Sequence, residues 1–258
     1  MSDAAALPEV GVLYGRRFAA FHKSDRDFFL GFVCACWLGV IMGFMPAVTK
    51  RISGQADYPA PLILEIHAMA FCAWLVLLAI QTGLVRKRRM ALHMTLGLTA
   101  IALIPLMATS ALLSEVYTQR FHLTHPPDNL AFFILPIFYV VAFASLASAA
   151  ILLRRNPGAH KRLMILATTI IVGAAYARWW GDALSGLVGD GYWGMLINTY
   201  AGTNLLLAAA LVHDLRTRGR LHRIYERVVP WLLAGEVATS YVYHSPAWPP
   251  IARGLVGS

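Results

Sequence analysis

The chain has 258 residues, 58% of them apolar and 14% charged, with a mean hydropathy of +0.59. Soluble domains are about 45–50% apolar and about 25% charged, so a soluble globular fold and a disordered chain are both disfavoured. The formal charge of +9, from 22 basic against 13 acidic residues, would point to nucleic acid in a soluble protein. Here the basic residues sit between apolar runs and need no nucleic acid to explain them. The pattern is that of a polytopic membrane protein whose partner is the lipid bilayer.

The polar, charged leader, residues 1–27, precedes the first apolar run. No A-x-A-like site follows that run, which therefore reads as an uncleaved signal anchor. A spanning helix needs about 20 mostly apolar residues. Six runs qualify: 28–48, 62–85, 92–113, 130–153, 163–183 and 193–212. A seventh, 228–243, is shorter and contains Glu236, but its flanks fit a span. The expected fold is all-α: a bundle of seven transmembrane helices over residues 28–246 and an outer tail, 247–258. Pro105 and Pro136 fall inside the third and fourth runs, where a missing backbone donor predicts kinks.

Charge placement sets the orientation. Basic residues concentrate in the leader (Arg16, Arg17, Lys23, Arg26) and the second–third connection (Arg86 to Arg89). They also concentrate in the fourth–fifth connection (Arg154, Arg155, Lys161, Arg162) and the sixth–seventh (Arg216, Arg218, Arg220, Arg223, Arg227). These hold 17 of the 22 basic residues; the opposite side holds Lys50, Arg51, Arg120 and Arg253. Seven spans alternate with that asymmetry, so the N-terminus is expected inside and the C-terminus outside a bacterial cytoplasmic membrane. Trp179, Trp180, Tyr192 and Trp193 fit an outer aromatic belt.

Ionisable residues are costly in a bilayer and usually face a bundle interior. His67, Trp74 and Gln81 recur at intervals of seven in the second run and share one helix face. His160 and Arg178 are 18 residues apart, five turns, and share a face at opposite ends of the fifth run. His67, Gln81 and Arg178 are all expected to point into the bundle. Arg178 can pair with Asp182 at i+4, or meet His67 in an outer-leaflet site.

His93 opens the third run and His160 the fifth, at the inner surface. Gly97, one turn beyond His93, would admit a flat ligand or a neighbouring helix. His93 and His160 are expected to form one site, with Lys161 and Arg162 available to an anion; the alternative is two separate helix-end caps. His22, His213 and His222 read as exposed loop residues. His122-x-x-His125 with Asp128 has metal-ligand types, but Pro126 and Pro127 disfavour the helical turn that would gather them. Glu236 reads as a proton-relay candidate or a residue bonded to a neighbouring helix. Cys34, Cys36 and Cys72 have no redox or zinc spacing and read as buried packing residues. Gly39-Val-Ile-Met-Gly43 is a GxxxG, taken as core packing.

Several chemistries have no seat. The seventh run has no lysine for a retinal Schiff base. No HxxHH or His-x3-His cluster occurs, and neither does a Walker loop or a GxGxxG.

The stretch His67…Trp74…Gln81-x-x-Leu84-Val85…Leu92-His93-x-x-x-Gly97 resembles uncharacterised bacterial multi-span membrane proteins of the DUF2306 type. Pro157-Gly158-Ala159-His160-Lys161-Arg162-Leu163-Met164, continuing to Ala177-Arg178, resembles a second signature of their seven-span relatives. Gly219-Arg220-Leu221-His222 resembles a third, with Arg223 where those proteins have proline. The family resemblance implies architecture more than chemistry. A looser likeness, in histidines at helix ends, is to cytochrome b561-type proteins, although the fourth span here has no histidine.

The leading functional expectation is an electron-transfer protein binding haem b through His93 and His160, because haem iron takes imidazole ligands between bundle helices. His67 could ligate a second, outer haem with Arg178 near its propionates and His125 or His244 opposite. Gln81 joins these as a cofactor-contacting residue, and a quinone or other membrane subunits are the expected partners. The alternatives are a non-catalytic accessory or assembly subunit of a respiratory or envelope complex, and a small-molecule or ion transporter lined by His67, Arg178 and Glu236. Catalytic residues are not identifiable from the sequence.

Overall fold

The computed structural model describes residues 18–56, 59–125, 129–189 and 191–257. Arg16, Arg17, Pro126, Pro127 and Asp128 lie outside the described residues, so the expectations placed on them do too. The described chain is helical: α1 (Asp25–Ile52), α2 (Leu62–Arg86), α3 (Met90–Gly97), α4 (Thr99–Thr124), a 3-10 turn (Leu130–Phe133), α5 (Ile134–Leu152), α6 (Pro157–Val188), α7 (Tyr192–Arg218), α8 (Arg223–Tyr243) and α9 (Trp248–Val256). Six helical segments are long and apolar enough to cross a membrane, α3 and α4 counting together as one.

Helix α6 is the axis of the bundle, with α1, α5 and α7 packed around it. Its small residues explain why. Ala167 and Ala175 are fully buried, and Gly173 lies so close to Thr203 of α7 that a Cβ there would overlap the threonine hydroxyl. The Gly39–Gly43 motif of α1 meets α6 directly. A Cβ on Gly39 would strike the Tyr176 ring, and one on Gly43 the Ala175 carbonyl oxygen. Tyr176 donates from its hydroxyl to the Ala35 carbonyl at 2.8 Å, closing the same seam. Helix α2 packs on α1 and α4. Trp74, 1% exposed, donates to Thr168 Oγ1 of α6 at 3.2 Å and meets the Phe143 ring edge-on.

Three local expectations change. The third run is interrupted at Leu98, between α3 and α4, and the helical segment extends to Thr124 rather than ending near residue 113. The fourth run opens with a 3-10 turn, which puts Pro136 in the first turn of α5, where its missing N–H would have no partner in any case. Only Cys36 is buried; Cys34 and Cys72 are exposed on the apolar outside of the bundle, because they fall on outward helix faces.

Helix α8 runs the height of the molecule. It begins beside the N-terminus of α6, where the His222 ring lies 3.2 Å from the Cβ position of Gly158. It ends at the α4–α5 connection, where Asn129 donates to the Tyr243 hydroxyl at 3.2 Å. The residues after it form α9, which packs Ala252 and Val256 on Leu130 and Phe133. Trp248 donates to the Ala131 carbonyl, and Arg120 of α4 donates to the Val256 carbonyl.

Candidate functional site

The predicted site residues separate into two groups. His93, His160 and Gln81 come together at the end of the bundle that holds the α2–α3 and α5–α6 connections. His67 and Arg178 lie towards the other end, since His67 and Gln81 are 14 residues apart on α2, roughly 21 Å at 1.5 Å per residue.

The first group is built from three helices. The α2–α3 connection is tight: Lys87 and Arg88 close α2, with Arg88 in the left-handed region at φ 58°. Helix α3 restarts at once, and the His93 N–H donates to the Arg89 carbonyl, so His93 sits in the first turn of α3. Asn156 caps α6 by accepting from the Ala159 N–H at 3.2 Å, and Pro157 occupies the first helical position, which places His160 at the same end. The two imidazoles meet edge to face, ring centres 6.4 Å apart and planes at 82°. His160 Nδ1 bonds the Ala150 carbonyl at 2.8 Å, which leaves Nε2 for another partner. His93 Nδ1 is buried with no partner. Beside it the Gln81 amide has both its nitrogen and its oxygen buried and unpartnered. Gly97 contributes as a contact surface for that amide: its Cβ position lies 3.3 Å from Gln81 Nε2, so the space it opens is used by Gln81.

Lys161 and Arg162 do not turn towards this pair. Lys161 binds Asp25 of α1 at 2.6 Å, and Arg162 holds Asp214 of α7 with two hydrogen bonds, at 2.5 and 2.7 Å. Asp25 also receives Arg218 at 2.7 Å and His213 at 2.9 Å, and His213 stacks on Phe28 with ring centres 4.0 Å apart. Buried ion pairs of this kind are stable only when each charge is compensated and hydrogen-bonded. Here the two acids are shared among Lys161, Arg162 and Arg218. His213 and His222 are therefore not exposed loop residues. His213 is inside α7, which runs to Arg218, and His222 caps α8 by accepting from the Ile224 N–H at 3.1 Å. Sequence reasoning missed this network because Asp25 meets partners 136 to 193 residues away and Asp214 meets Arg162 across 52 residues; the signal available was Asp214 at the end of an apolar run, one helical turn before Arg218.

The second group is more open. His67 Nδ1 lies 3.5 Å from Ser110 Oγ of α4 and within electrostatic range of Arg178. Arg178 is exposed rather than interior. It donates to the Ala174 carbonyl at 3.0 Å and stands over the Phe44 ring of α1 at 4.9 Å. It forms no ion pair with Asp182, because the guanidinium turns back along α6 towards Phe44. The acid within its range is Glu115 of α4, which accepts from Gln119 at 2.8 Å; both lie just past the third apolar run and were missed for that reason. His125 stacks on Phe121 and bonds Thr124. His244 bonds the Ser240 carbonyl. Neither of these contacts opposes His67. Among the described residues no group of three or more histidine, cysteine or acidic side chains could hold a metal ion.

No family model matches this chain, and neither does any curated protein or solved structure.

Proposed function

We propose that the protein is a seven-span electron-transfer protein of a bacterial cytoplasmic membrane that binds haem b through His93 and His160. The observation that carries this reading is the 6.4 Å separation of the two rings, supplied by different helices at one depth. The donor set suits the group. His160 has one nitrogen held by the Ala150 carbonyl, a bond of the kind that orients a ligating ring. His93 and Gln81 bring buried polar atoms that lack partners, and such atoms are seldom left so in a protein interior.

The chain's own residues divide the work. His93 and His160 would hold the iron, the Ala150 carbonyl fixes the His160 ring, and the Gln81 amide would offer a donor and an acceptor beside it. The basic α2–α3 connection, Lys87 to Arg89, offers charge to propionates, since Lys161 and Arg162 are committed to Asp25 and Asp214. When bound, haem b supplies one-electron chemistry. A quinone or a neighbouring membrane subunit is the exchange partner this reading calls for. Likeness to the DUF2306-type proteins fits the same reading, as His93 of the first signature and His160 of the second are the two that meet.

The seventh crossing is supported by the course of α8, which starts beside the α6 N-terminus and ends on the α4–α5 connection. The test of the haem reading is the reduced-minus-oxidised absorption spectrum of the purified protein. A sharp band in the haem α region is expected, abolished equally by His93→Ala and His160→Ala. A colourless wild-type protein, isolated from haem-replete cells, or loss from only one of the two variants, would overturn it.

A further inference from the structure

Two groups of basic residues stand at the end of the bundle that holds the α2–α3 and α5–α6 connections, and they differ in kind. Lys161, Arg162 and Arg218 are answered by Asp25 and Asp214, and Arg86 by Asp27 at 2.7 Å. The side chains of Lys87, Arg88 and Arg89 in the first connection and of Arg155 in the second are exposed. Among the described residues these four form no ion pair and no side-chain hydrogen bond. Arg154 beside them donates only to the Ile151 carbonyl of its own helix, at 3.1 Å. The sequence supplies no acid to either connection: residues 66–114 and 129–181 contain neither aspartate nor glutamate.

The two connections are neighbours. The His93 N–H meets the Arg89 carbonyl at 3.0 Å, and the His160 N–H meets the Asn156 carbonyl at 2.9 Å. Each histidine thus lies one turn after its connection, and the two rings are 6.4 Å apart. The first turn is closed by bonds from the Arg88 N–H to the Val85 carbonyl and from the Arg89 N–H to the Leu84 carbonyl. Helices commonly end in this way on glycine, yet Arg88 occupies the left-handed position, at φ 58°, and is the one non-glycine among the described residues with positive φ. A side chain is strained there and glycine is not; the turn gains nothing from the arginine, whereas a charge displayed at a fixed point does. The adjoining surface is apolar. Helix α3 buries none of its residues, Met90, Leu92 and Met94 are exposed, and so are Leu152 and Leu153 where α5 ends.

Uncompensated cations next to exposed hydrocarbon match a molecule that carries an anionic group on an apolar body. A soluble anion would answer the charges and leave the apolar side chains uncovered, and a zwitterionic lipid brings a cation of its own. We infer that Lys87, Arg88 and Arg89, with Arg155 on the neighbouring turn, bind the phosphate headgroup of an anionic phospholipid whose chains lie along α3 and the end of α5. The inference does not rest on the haem reading: two propionates would answer two of the five charges and leave three.

The experiment is thermal unfolding of the full chain, purified in detergent, as phosphatidylglycerol, phosphatidylcholine or inorganic phosphate is added. Phosphatidylglycerol is expected to raise the unfolding temperature saturably, and the other two to leave it unchanged. Arg88→Gln and Arg155→Gln should each raise the half-saturating concentration of phosphatidylglycerol about fivefold. Arg88→Gly should weaken the lipid response equally, yet unfold at a higher temperature than the wild type before lipid is added, because the left-handed position no longer carries a side chain. Arg216→Gln, which removes one exposed charge from the last turn of α7, should respond as the wild type does. The inference is overturned if phosphatidylglycerol has no saturable effect, or if phosphatidylcholine or inorganic phosphate stabilises the wild type as well as it does. It is also overturned if Arg88→Gly keeps the wild-type response, or if Arg216→Gln weakens the response as much as Arg88→Gln, since the lipid would then follow total charge and not this turn. The reduced absorption spectrum of the same samples reports on the haem reading separately.

Discussion

His222 performs a backbone task with a titratable ring. Its Nδ1 accepts from the Ile224 N–H and so begins α8, while Phe18 packs against the ring edge-on at 4.8 Å. Burial, reinforced by the neighbouring Arg162 guanidinium, pushes its pKa down from 6.5 to about 4. In the unfolded chain the ring is the stronger base, so the unfolded state takes up the proton first as the solution is acidified. Stability from this group is therefore intact above about pH 6.5 and is lost progressively between 6.5 and 4. Asparagine at this position would retain an oxygen that caps the helix and would not titrate. Unfolding temperatures measured across that interval should decline less steeply for His222→Asn than for the wild type. Equal slopes would show that the ring is not an acid-sensitive cap. The sequence displays His222 as one of several histidines near basic residues, and nothing in its neighbours announces a cap; the role depends on where α7 stops, one residue before Gly219 in the left-handed conformation.

At the scale of elements, the α1–α6 seam is the most demanding contact. A Cβ on Gly43 would lie 2.1 Å from the Ala175 carbonyl oxygen, a backbone atom that cannot swing aside. Overpacking of this kind costs typically about 1–3 kcal/mol, so Gly43→Ala should lower the unfolding temperature and loosen α1. Gly83, on α2, has open space around its Cβ position. Gly83→Ala should be neutral or stabilising by up to about 1 kcal/mol through helix propensity. Thermal melts of the two variants side by side check the contrast; equal effects would mean that the seam is not close-packed. Hydropathy alone locates the six long helices, since burial from water is the same signal whichever neighbour a helix chooses. The GxxxG spacing pointed to close packing, but Tyr176 and Ala175 as its partners are set by tertiary fit. The break at Leu98 and the 3-10 start of the fourth run escaped for a related reason: both lie inside apolar sequence, where hydropathy does not change.

For the whole molecule, the question is how many times the chain crosses. Six helices are long and apolar enough by themselves. Helix α8, at 21 residues, is about 31 Å long at 1.5 Å per residue, close to the roughly 30 Å of a bilayer core. Its polar residues, Glu236 and Thr239 among them, are turned into the protein, which is why its hydropathy falls short of that of the other six. On the seven-span reading proposed above, reporters fused after Arg89 and after Ser258 should indicate opposite sides of the membrane. Matching sides would remove the seventh crossing and restore an even-span topology. The periodicity of His67, Trp74 and Gln81 correctly marked an inward face, as the burial of Trp74 demonstrates. The pairing of His93 with His160 was legible only as a match in depth; that they are neighbours, and that Gln81 lies between α2 and α3 beside them, needed the packing of three helices. The bond from Asn204 of α7 to Glu236 of α8 was not legible, because Asn204 is unremarkable in composition until Glu236 is laid against it.

The carboxylate of Asp25 has a further consequence, in time rather than space. Its partners Lys161, His213 and Arg218 follow it in the chain by 136, 188 and 193 residues. At about 5–20 residues per second of synthesis, roughly 10–40 seconds separate the appearance of Asp25 from that of Arg218. Helix α1 must also await Ala175 and Tyr176 before its glycine seam can close. Of the described helices, α1 is made before the others and is thus among the last to reach its final neighbours. Until α6 and α7 arrive it can rest only against α2.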